Sequence, residues 1–383
     1  MVYYITHTEP LNPQRGNLVR FFIRHFDEKE GRGHSIYQDA PVNLIVPSLE
    51  MYVEEAFQEL RTLMEVYPHF NFEIKKFSEE KAVIWASIKD RERKKELPGF
   101  FLKNKTSPSL LVRFFYPPFT IVDFDSKGNL LLPGINEKRE YAPPEIPLMD
   151  VKCALDIETT NYKNPDKERI TNAVLNFGET KKVIFTTFKN LKGLGKFNDY
   201  EIKVVSDTDS IIKNVEETIK KEDPLIIYGF NISFDQEKLR ELGEDVDFLP
   251  GVDDSKPVFK SVNAIKNMIE KGRWVVDLWG YCFYYKNLYK DNKLETHTNH
   301  KKSLSHFELE EKTNFAESTK KGARNTAIEI ISYVVRDGEE TFSLGEKNIK
   351  EIISKSYFTK REPSTICATS GKNIGREFWA RKY

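Results

Sequence analysis

The sequence has few cysteines and no long apolar run, and both absences exclude classes of protein. Its 383 residues contain three cysteines, Cys153, Cys282 and Cys367, outside any Cys-x-x-Cys or Cys/His pattern. A disulfide framework and a structural zinc site are therefore not expected. Charges interrupt every apolar stretch before it reaches the roughly 20 residues that cross a bilayer. The first residues, Met1–His7, lack the blocks of a secretory signal. These absences predict a soluble, cytoplasmic protein without a membrane partner.

The chain also has no net charge at neutral pH. The 59 basic and 59 acidic residues cancel, so no global electrostatic field directs the chain toward nucleic acid. The imbalance is local, because residues 341–383 contain nine Lys or Arg residues and four Glu residues. Such a basic segment contacts phosphates in some proteins and forms a solvated helix face in many others. Charge alone leaves both interpretations open.

A proline-rich segment divides the sequence. Three prolines occur within Tyr141–Pro147, which excludes a continuous helix or a central strand there. Before it, short strand-like runs at Val42–Val46, Ala82–Ile88 and Leu110–Phe115 and one helical stretch, Leu49–Glu65, predict a small α+β domain at residues 1–146. After it, strands alternate with helices and predict a mixed sheet flanked by helices at residues 147–348. Residues 349–383 are predicted to be a helical tail.

The first candidate motif is Asp156-Ile157-Glu158, which ends an apolar strand-like run, Val151–Ile157. Residues i and i+2 of a strand point to the same face, so both carboxylates are predicted on one side of a sheet. Two such charges repel each other unless a cation lies between them. Solvated side chains at a sheet edge are the alternative interpretation.

The second candidate is Asp235, which follows a short buried-type strand, Leu225–Tyr228. We predict it at the start of a helix, Gln236–Leu242, where a carboxylate acts either as an N-cap or as a chemical group.

The third candidate is the pair Tyr333 and Asp337 on a predicted helix, Asn325–Gly345. Their i, i+4 spacing places the phenol and the carboxylate on one helix face. A surface hydrogen bond between them is the alternative.

Together these motifs are more specific than any one alone. Four carboxylates and a tyrosine occur in fixed order on a strand, a strand-to-helix turn and a helix: Asp156, Glu158, Asp235, Tyr333 and Asp337. Such a set holds two divalent cations about 3.5–4 Å apart, which stabilise the attacking and leaving oxygens of a phosphoryl transfer. Oxygen ligands favour Mg²⁺ or Mn²⁺.

The combination resembles the three exonuclease motifs of the DEDD superfamily, in the subclass with tyrosine in the third motif. More narrowly, the chain resembles the front half of a family B DNA polymerase of archaeal type. The segments that carry this narrower resemblance are Lys220–Asn231, Arg273–Leu278, Tyr333–Gly345 and Ala368–Tyr383. The resemblance implies an RNase H-like α/β fold with a mixed sheet for residues 147–348. It is weak over residues 1–140.

The resemblance also implies a function, a metal-dependent 3′–5′ exonuclease that proofreads during DNA replication. By this resemblance, Asp156, Glu158 and Asp337 would ligate the first metal ion. Asp156 would bridge to the second ion, which Asp235 would hold. Tyr333 would position the attacking water.

The implied substrate is DNA with a single-stranded or frayed 3′ end. Thr159, Asn231 and Phe234 are the implied substrate-binding residues, although an aromatic side chain at a helix entrance also packs inward in many proteins. Asn231 and Asp235 are four residues apart, one fewer than is usual in family B and as in smaller DEDD exonucleases.

The palm motifs Asp-Thr-Asp and Ser-Leu-Tyr-Pro-Ser do not occur in these 383 residues. We therefore expect no polymerase active site on this chain, and a separate palm-containing subunit is a candidate partner. Two alternatives remain open. One is a non-catalytic DNA-binding or docking subunit of a split polymerase, and the other is an RNA-directed exonuclease of the same superfamily.

Overall fold

A computed structural model of the chain describes eleven segments, and every structural statement below concerns them. They are residues 1–10, 18–41, 44–52, 71–76, 81–88, 116–133, 139–160, 168–241, 272–285, 293–298 and 306–368. They fall into two compact units, one drawn from residues 1–25 and 35–143 and the other from residues 26–34 and 144–376. Within the described segments, no helix is both long enough and apolar enough to span a membrane.

The first unit is built mainly of short sheets. Strands β1, β2 and β3 form one sheet, β4, β6 and β5 form a second in that order, and β7 pairs with β8. Their bounds are β1 Val2–Pro10, β2 Leu18–Asp27, β3 Arg32–Pro41, β4 Leu44–Tyr52, β5 Asn71–Lys76, β6 Lys81–Ile88, β7 Asp123–Phe124 and β8 Leu130–Leu131.

The helix predicted at Leu49–Glu65 is wrong over its first residues. Residues 49–52 belong to β4, which pairs antiparallel with β6 from Leu44 opposite Ile88 to Tyr52 opposite Lys81. Cross-strand pairing overrides a weak local helical pattern. The rest of that predicted helix, and the predicted strand at residues 110–115, lie outside the described residues.

The second unit contains a seven-stranded sheet and eight described helices. The strands are β9 Lys152–Thr160, β10 Arg169–Asn176, β11 Lys182–Thr186, β12 Lys196–Phe197, β13 Tyr200–Val204, β14 Ile226–Gly229 and β15 Trp274–Asp277. The helices are α1 Glu145–Met149, α2 Thr208–Glu222, α3 Ile232–Glu241, α4 Leu278–Tyr285, α5 Leu294–Thr298, α6 His306–Ala316, α7 Ala323–Thr359 and α8 Pro363–Cys367.

The strand order is β12-β13-β11-β10-β9-β14-β15. Strand β10 runs antiparallel to both of its neighbours, β9 and β11. Strands β9, β14 and β15 run parallel to one another, and β11 runs parallel to β13. The predicted mixed sheet flanked by helices is confirmed, and the arrangement is consistent with an RNase H-like fold.

Side-chain alternation along the strands creates two apolar layers. One core combines Leu155 and Ile157 of β9 with Ile211 of α2 and Ile232 and Leu239 of α3. The other core combines strand residues that point to the opposite face of the sheet, such as Val174 and Ile184, with residues of α6 and α7. Because residues i and i+2 share a face, Asp156 and Glu158 project on the side opposite to Ile157.

Helix α7 is longer than the sequence predicts. The predicted helix Asn325–Gly345 and the first part of the predicted helical tail, from residue 349, lie on one continuous helix of 37 residues. A glycine within a helix costs about 1 kcal/mol, yet Gly345 is placed where only glycine fits. A Cβ atom there would lie 2.5 Å from the ring of Tyr228 on β14. Close packing of α7 on the sheet therefore explains why this helical position is occupied by glycine.

Candidate functional site

Strand β9 provides the first two carboxylates of the candidate site. Asp156 lies opposite Val174 of β10, and Glu158 lies opposite Asn172. Val174 belongs to the apolar layer beneath α7. The two carboxylates therefore project from the sheet toward α7, as the two-residue spacing predicts.

Helix α7 provides the third carboxylate. Single carboxylate oxygens of Asp156, Glu158 and Asp337 all lie within 4.8 Å of one another. All three residues are partly buried. Gly338 keeps the helix close to the sheet, because a Cβ atom at this position would lie 3.0 Å from Val174. The contact between α7 and the sheet thus brings together residues that are about 180 positions apart.

Asp235 approaches β9 from the other layer. Helix α3 begins at Ile232, ahead of the predicted start at Gln236, so Asp235 lies in the first turn and is not the N-cap. Its Oδ1 atom accepts a hydrogen bond of 3.0 Å from the backbone N–H of Ile157. Asp235 is not in the group of three oxygens that share metal-ligand spacing, but its bond to Ile157 places it against the same strand.

These carboxylates raise one another's pKa. Burial raises the pKa of Asp156 well above its ordinary value, and the charges of Asp235, Glu158 and Asp337 raise it further. Burial, then Asp337 and Asp235, have the same effect on Glu158. Burial raises the pKa of Asp235 to about 7, although the bond from Ile157 opposes this shift. Burial and close spacing therefore both disfavour the ionised carboxylates unless a cation lies among them.

The site fits a divalent cation. A cluster of three acidic residues, Asp156, Glu158 and Asp337, has ligand atoms at suitable spacing. The Oδ2 atom of Asp156 is buried and has no hydrogen-bond partner among the described residues, and a buried acceptor of this kind is costly unless a cation or donor satisfies it. Carboxylate oxygens suit hard cations such as Mg²⁺, Mn²⁺ and Ca²⁺.

Tyr333 lies one helical turn before Asp337 on α7. Its pKa is raised by burial and then by the charges of Glu158, Asp337 and Asp156, with a further contribution from its hydrogen bond to Asp337. The phenol therefore keeps its proton at neutral pH. Arg336 lies 5.3 Å from the Tyr333 ring centroid and its Nε is 3.8 Å from an Asp337 oxygen.

The three candidate substrate contacts occupy different positions. Thr159 follows Glu158 on β9 and alternates to the opposite face, opposite Ile170. Asn231 is exposed at the turn before α3, with a left-handed φ of 62°. Phe234 is half-buried in α3, and Lys238 Nζ lies 5.8 Å from its ring centroid. Of the three, only Thr159 lies on β9, whereas Asn231 and Phe234 belong to the turn and the helix that follow β14.

Asp277 is an acidic residue near the site that the sequence patterns did not single out. It is the last residue of β15 and is 3% exposed. Its charge contributes to the raised pKa of Asp235. Its position in the sequence does indicate a structural role, because an acidic residue between a buried strand and a helix is a typical helix cap.

Comparison with known proteins supports the fold. No family model matches the sequence, and no curated protein matches it. Among solved structures, the chain is similar to the family B DNA polymerase from the hyperthermophilic archaeon Pyrobaculum calidifontis, with a TM-score of 0.65 and 16% sequence identity. The match covers 100% of this chain and 50% of that polymerase, so the chain spans half the polymerase's length. A family B polymerase-like fold is thereby confirmed.

Proposed function

We propose that this chain is a metal-dependent 3′–5′ exonuclease related to the proofreading module of family B DNA polymerases. The observation that carries the proposal is the convergence of Asp156, Glu158 and Asp337 within 4.8 Å. Asp235 supports it, because its hydrogen bond to Ile157 fixes a fourth carboxylate beside the same strand. Paired carboxylates that hold divalent cations are a common solution for phosphodiester cleavage.

In this proposal Asp156, Glu158 and Asp337 hold the first Mg²⁺ or Mn²⁺ ion, and Asp156 together with Asp235 holds the second. When bound, the two cations stabilise the negative charge that develops on the phosphoryl group. Mutual repulsion in the metal-free cluster gives the site its affinity for cations, since an opposite charge relieves the energetic cost of four closely spaced carboxylates.

Tyr333 is the residue that positions the attacking water in this proposal. Its hydrogen bond to Asp337 fixes the phenol, and its raised pKa keeps the hydroxyl protonated. A protonated hydroxyl both donates and accepts hydrogen bonds, so it can orient a water molecule toward the terminal phosphodiester. Thr159, Asn231 and Phe234 are proposed to contact the last nucleotides.

The proposed substrate is the 3′ end of single-stranded or frayed DNA. Unpaired ends enter a catalytic pocket at low cost, because no base pair or full stack has to be broken. Recognition through the phosphate backbone would weaken steeply with salt. A palm-containing polymerase subunit remains a proposed partner.

The direct test uses a 5′-labelled single-stranded DNA oligomer, purified protein and Mg²⁺ or Mn²⁺. Wild-type protein should shorten the oligomer stepwise from its 3′ end, and EDTA should stop the reaction. Asp156→Ala should abolish cleavage and keep the fold. Asp199→Ala is the matched control, because this carboxylate is 81% exposed and its nearest described ion partner is Lys182 at 3.5 Å; its activity should equal that of wild type.

Two outcomes would redirect the proposal. An intact oligomer that migrates more slowly on a native gel would favour a DNA-binding or docking subunit. Faster cleavage of a matched RNA oligomer would favour an RNA-directed exonuclease. Near-normal cleavage by Asp156→Ala would contradict the assignment of the carboxylate site.

A further inference from the structure

Strands β14 and β15 end side by side, with Gly229 in register with Asp277. After Gly229 the chain turns through Phe230 and Asn231 and enters α3. Asn231 takes the left-handed conformation, with φ of 62°. The first N–H groups of a helix have no acceptor within the helix itself, so this turn needs an acceptor from elsewhere.

The Asp277 carboxylate is that acceptor. Its Oδ1 atom accepts hydrogen bonds from the backbone N–H groups of Asn231, at 3.0 Å, and Trp279, at 3.1 Å. The N–H groups of Ile232 and Gly280 also interact favourably with the carboxylate. One buried side chain therefore serves the N-terminal turns of two helices, α3 and α4.

The turn that Asp277 holds leads directly to the candidate site. Asp235 lies in the first turn of α3, four residues after Asn231. Because Asp235 bonds to Ile157 of β9 at 3.0 Å, a change in the position of the Asn231 turn would be transmitted to the carboxylate. Groups that orient metal-binding side chains in this way commonly change metal affinity by about 10–100-fold when they are removed.

We propose that Asp277 is a positioning residue: it fixes the Asn231 turn and the start of α3, and thereby holds Asp235 against the strand that carries Asp156 and Glu158. The chemical consequence rests on the function proposed above, whereas the structural consequence does not. Asp277 itself touches neither metal nor substrate in this role.

Three variants separate positioning from general stability. Asp277→Ala removes the acceptor, whereas Asp277→Asn keeps a carbonyl oxygen that can face the same N–H groups. Asp223→Ala is the matched control. Asp223 pairs with Arg273 at 2.8 Å, at the opposite end of the same two strands, so its loss removes a buried ion pair without touching the Asn231 turn.

The measurements are Mn²⁺ affinity, followed by electron paramagnetic resonance, and hydrogen exchange of the peptide that contains residues 231–235. Both are made below the melting temperature of every variant. Asp277→Ala should weaken Mn²⁺ binding by about 10-fold or more and accelerate exchange in that peptide. Asp277→Asn should recover most of the Mn²⁺ affinity and most of the protection from exchange. Asp223→Ala should bind Mn²⁺ like wild type.

The inference would be overturned if Asp277→Ala bound Mn²⁺ like wild type, or if Asp223→Ala weakened binding equally. It would also be overturned if exchange at residues 231–235 stayed unchanged in Asp277→Ala. Wild-type protein that binds Mn²⁺ without cleaving DNA would contradict the proposed function alone, because neither readout depends on cleavage.

Discussion

The Oδ1 atom of Asp235 accepts a hydrogen bond of 3.0 Å from the backbone N–H of Ile157. Ile157 is the residue that separates Asp156 from Glu158, and its own side chain points into the opposite apolar layer. The bond therefore joins a helix on one side of the sheet to a strand whose carboxylates face the other side. Both layers of the second unit therefore place a carboxylate next to β9.

We expect Tyr333→Phe to lower the cleavage rate by about 10²-fold, because poorly oriented reactants cost rates of this order. Mn²⁺ affinity should stay close to that of wild type, since the substitution leaves every carboxylate in place. Single-turnover cleavage and Mn²⁺ titration measure the two effects. Tyr357→Phe on the same helix, whose ring lies 3.8 Å from Lys360 Nζ, is the control. Equal rates for the two variants would contradict the role of Tyr333.

The metal-free protein should lose stability as pH rises. The pKa of Asp235 is raised from 3.8 to about 7, chiefly by burial, so the folded state binds more protons than the unfolded state between these values. Unfolding free energy then falls with increasing pH across that window. Urea unfolding in EDTA between about pH 4 and pH 8 tests this, and Asp235→Asn should make the profile less steep, because Asp156 and Glu158 still titrate. Stability that rises with pH equally in both proteins would contradict the prediction.

Gly345→Ala should destabilise the second unit by about 1–3 kcal/mol, the usual cost of forcing extra volume into a packed interior. The added Cβ atom would lie 2.5 Å from the Tyr228 ring. That ring has little freedom to move, because its hydroxyl bonds to Glu346 at 2.7 Å and Phe342 packs against it edge-on. Urea unfolding measures the loss, with Ser343→Ala at an exposed position of α7 as the control.

Substitution of Asn231 distinguishes a backbone role from a substrate contact. Asn231→Ala should cost about 1 kcal/mol of stability, because alanine lacks the tolerance of asparagine and glycine for the left-handed region. Asn231→Gly should cost less. If the side chain contacts DNA, as proposed, both variants should lose cleavage activity to a similar extent. Wild-type activity in the glycine variant would show that the turn alone matters.

The local parts of the site follow from sequence spacing. The two-residue interval between Asp156 and Glu158 predicts a shared strand face, and the four-residue interval between Tyr333 and Asp337 predicts a shared helix face. Both intervals reflect the fixed periods of strands and helices. The mixed sheet with helices is predictable for the same reason, because apolar periodicity indicates each element.

Other features depend on contacts that no local pattern contains. Residues 49–52 form a strand because they pair with β6, and position 345 of α7 is glycine because the Tyr228 ring leaves no room for a Cβ atom. Asp277 reaches the Asn231 turn because β14 and β15 end side by side. Each outcome is decided by a partner distant in sequence, which local periodicity does not reveal.

The sequence by itself determined which residue types are available for chemistry, on which elements they lie and in what order they occur. Only the tertiary structure decided that Asp337 meets Asp156 and Glu158 within 4.8 Å and that Asp235 is bound to Ile157. The physical reason is that backbone periods act over a few residues, whereas the distance between two helices on opposite faces of a sheet depends on how their side chains fill the space between them.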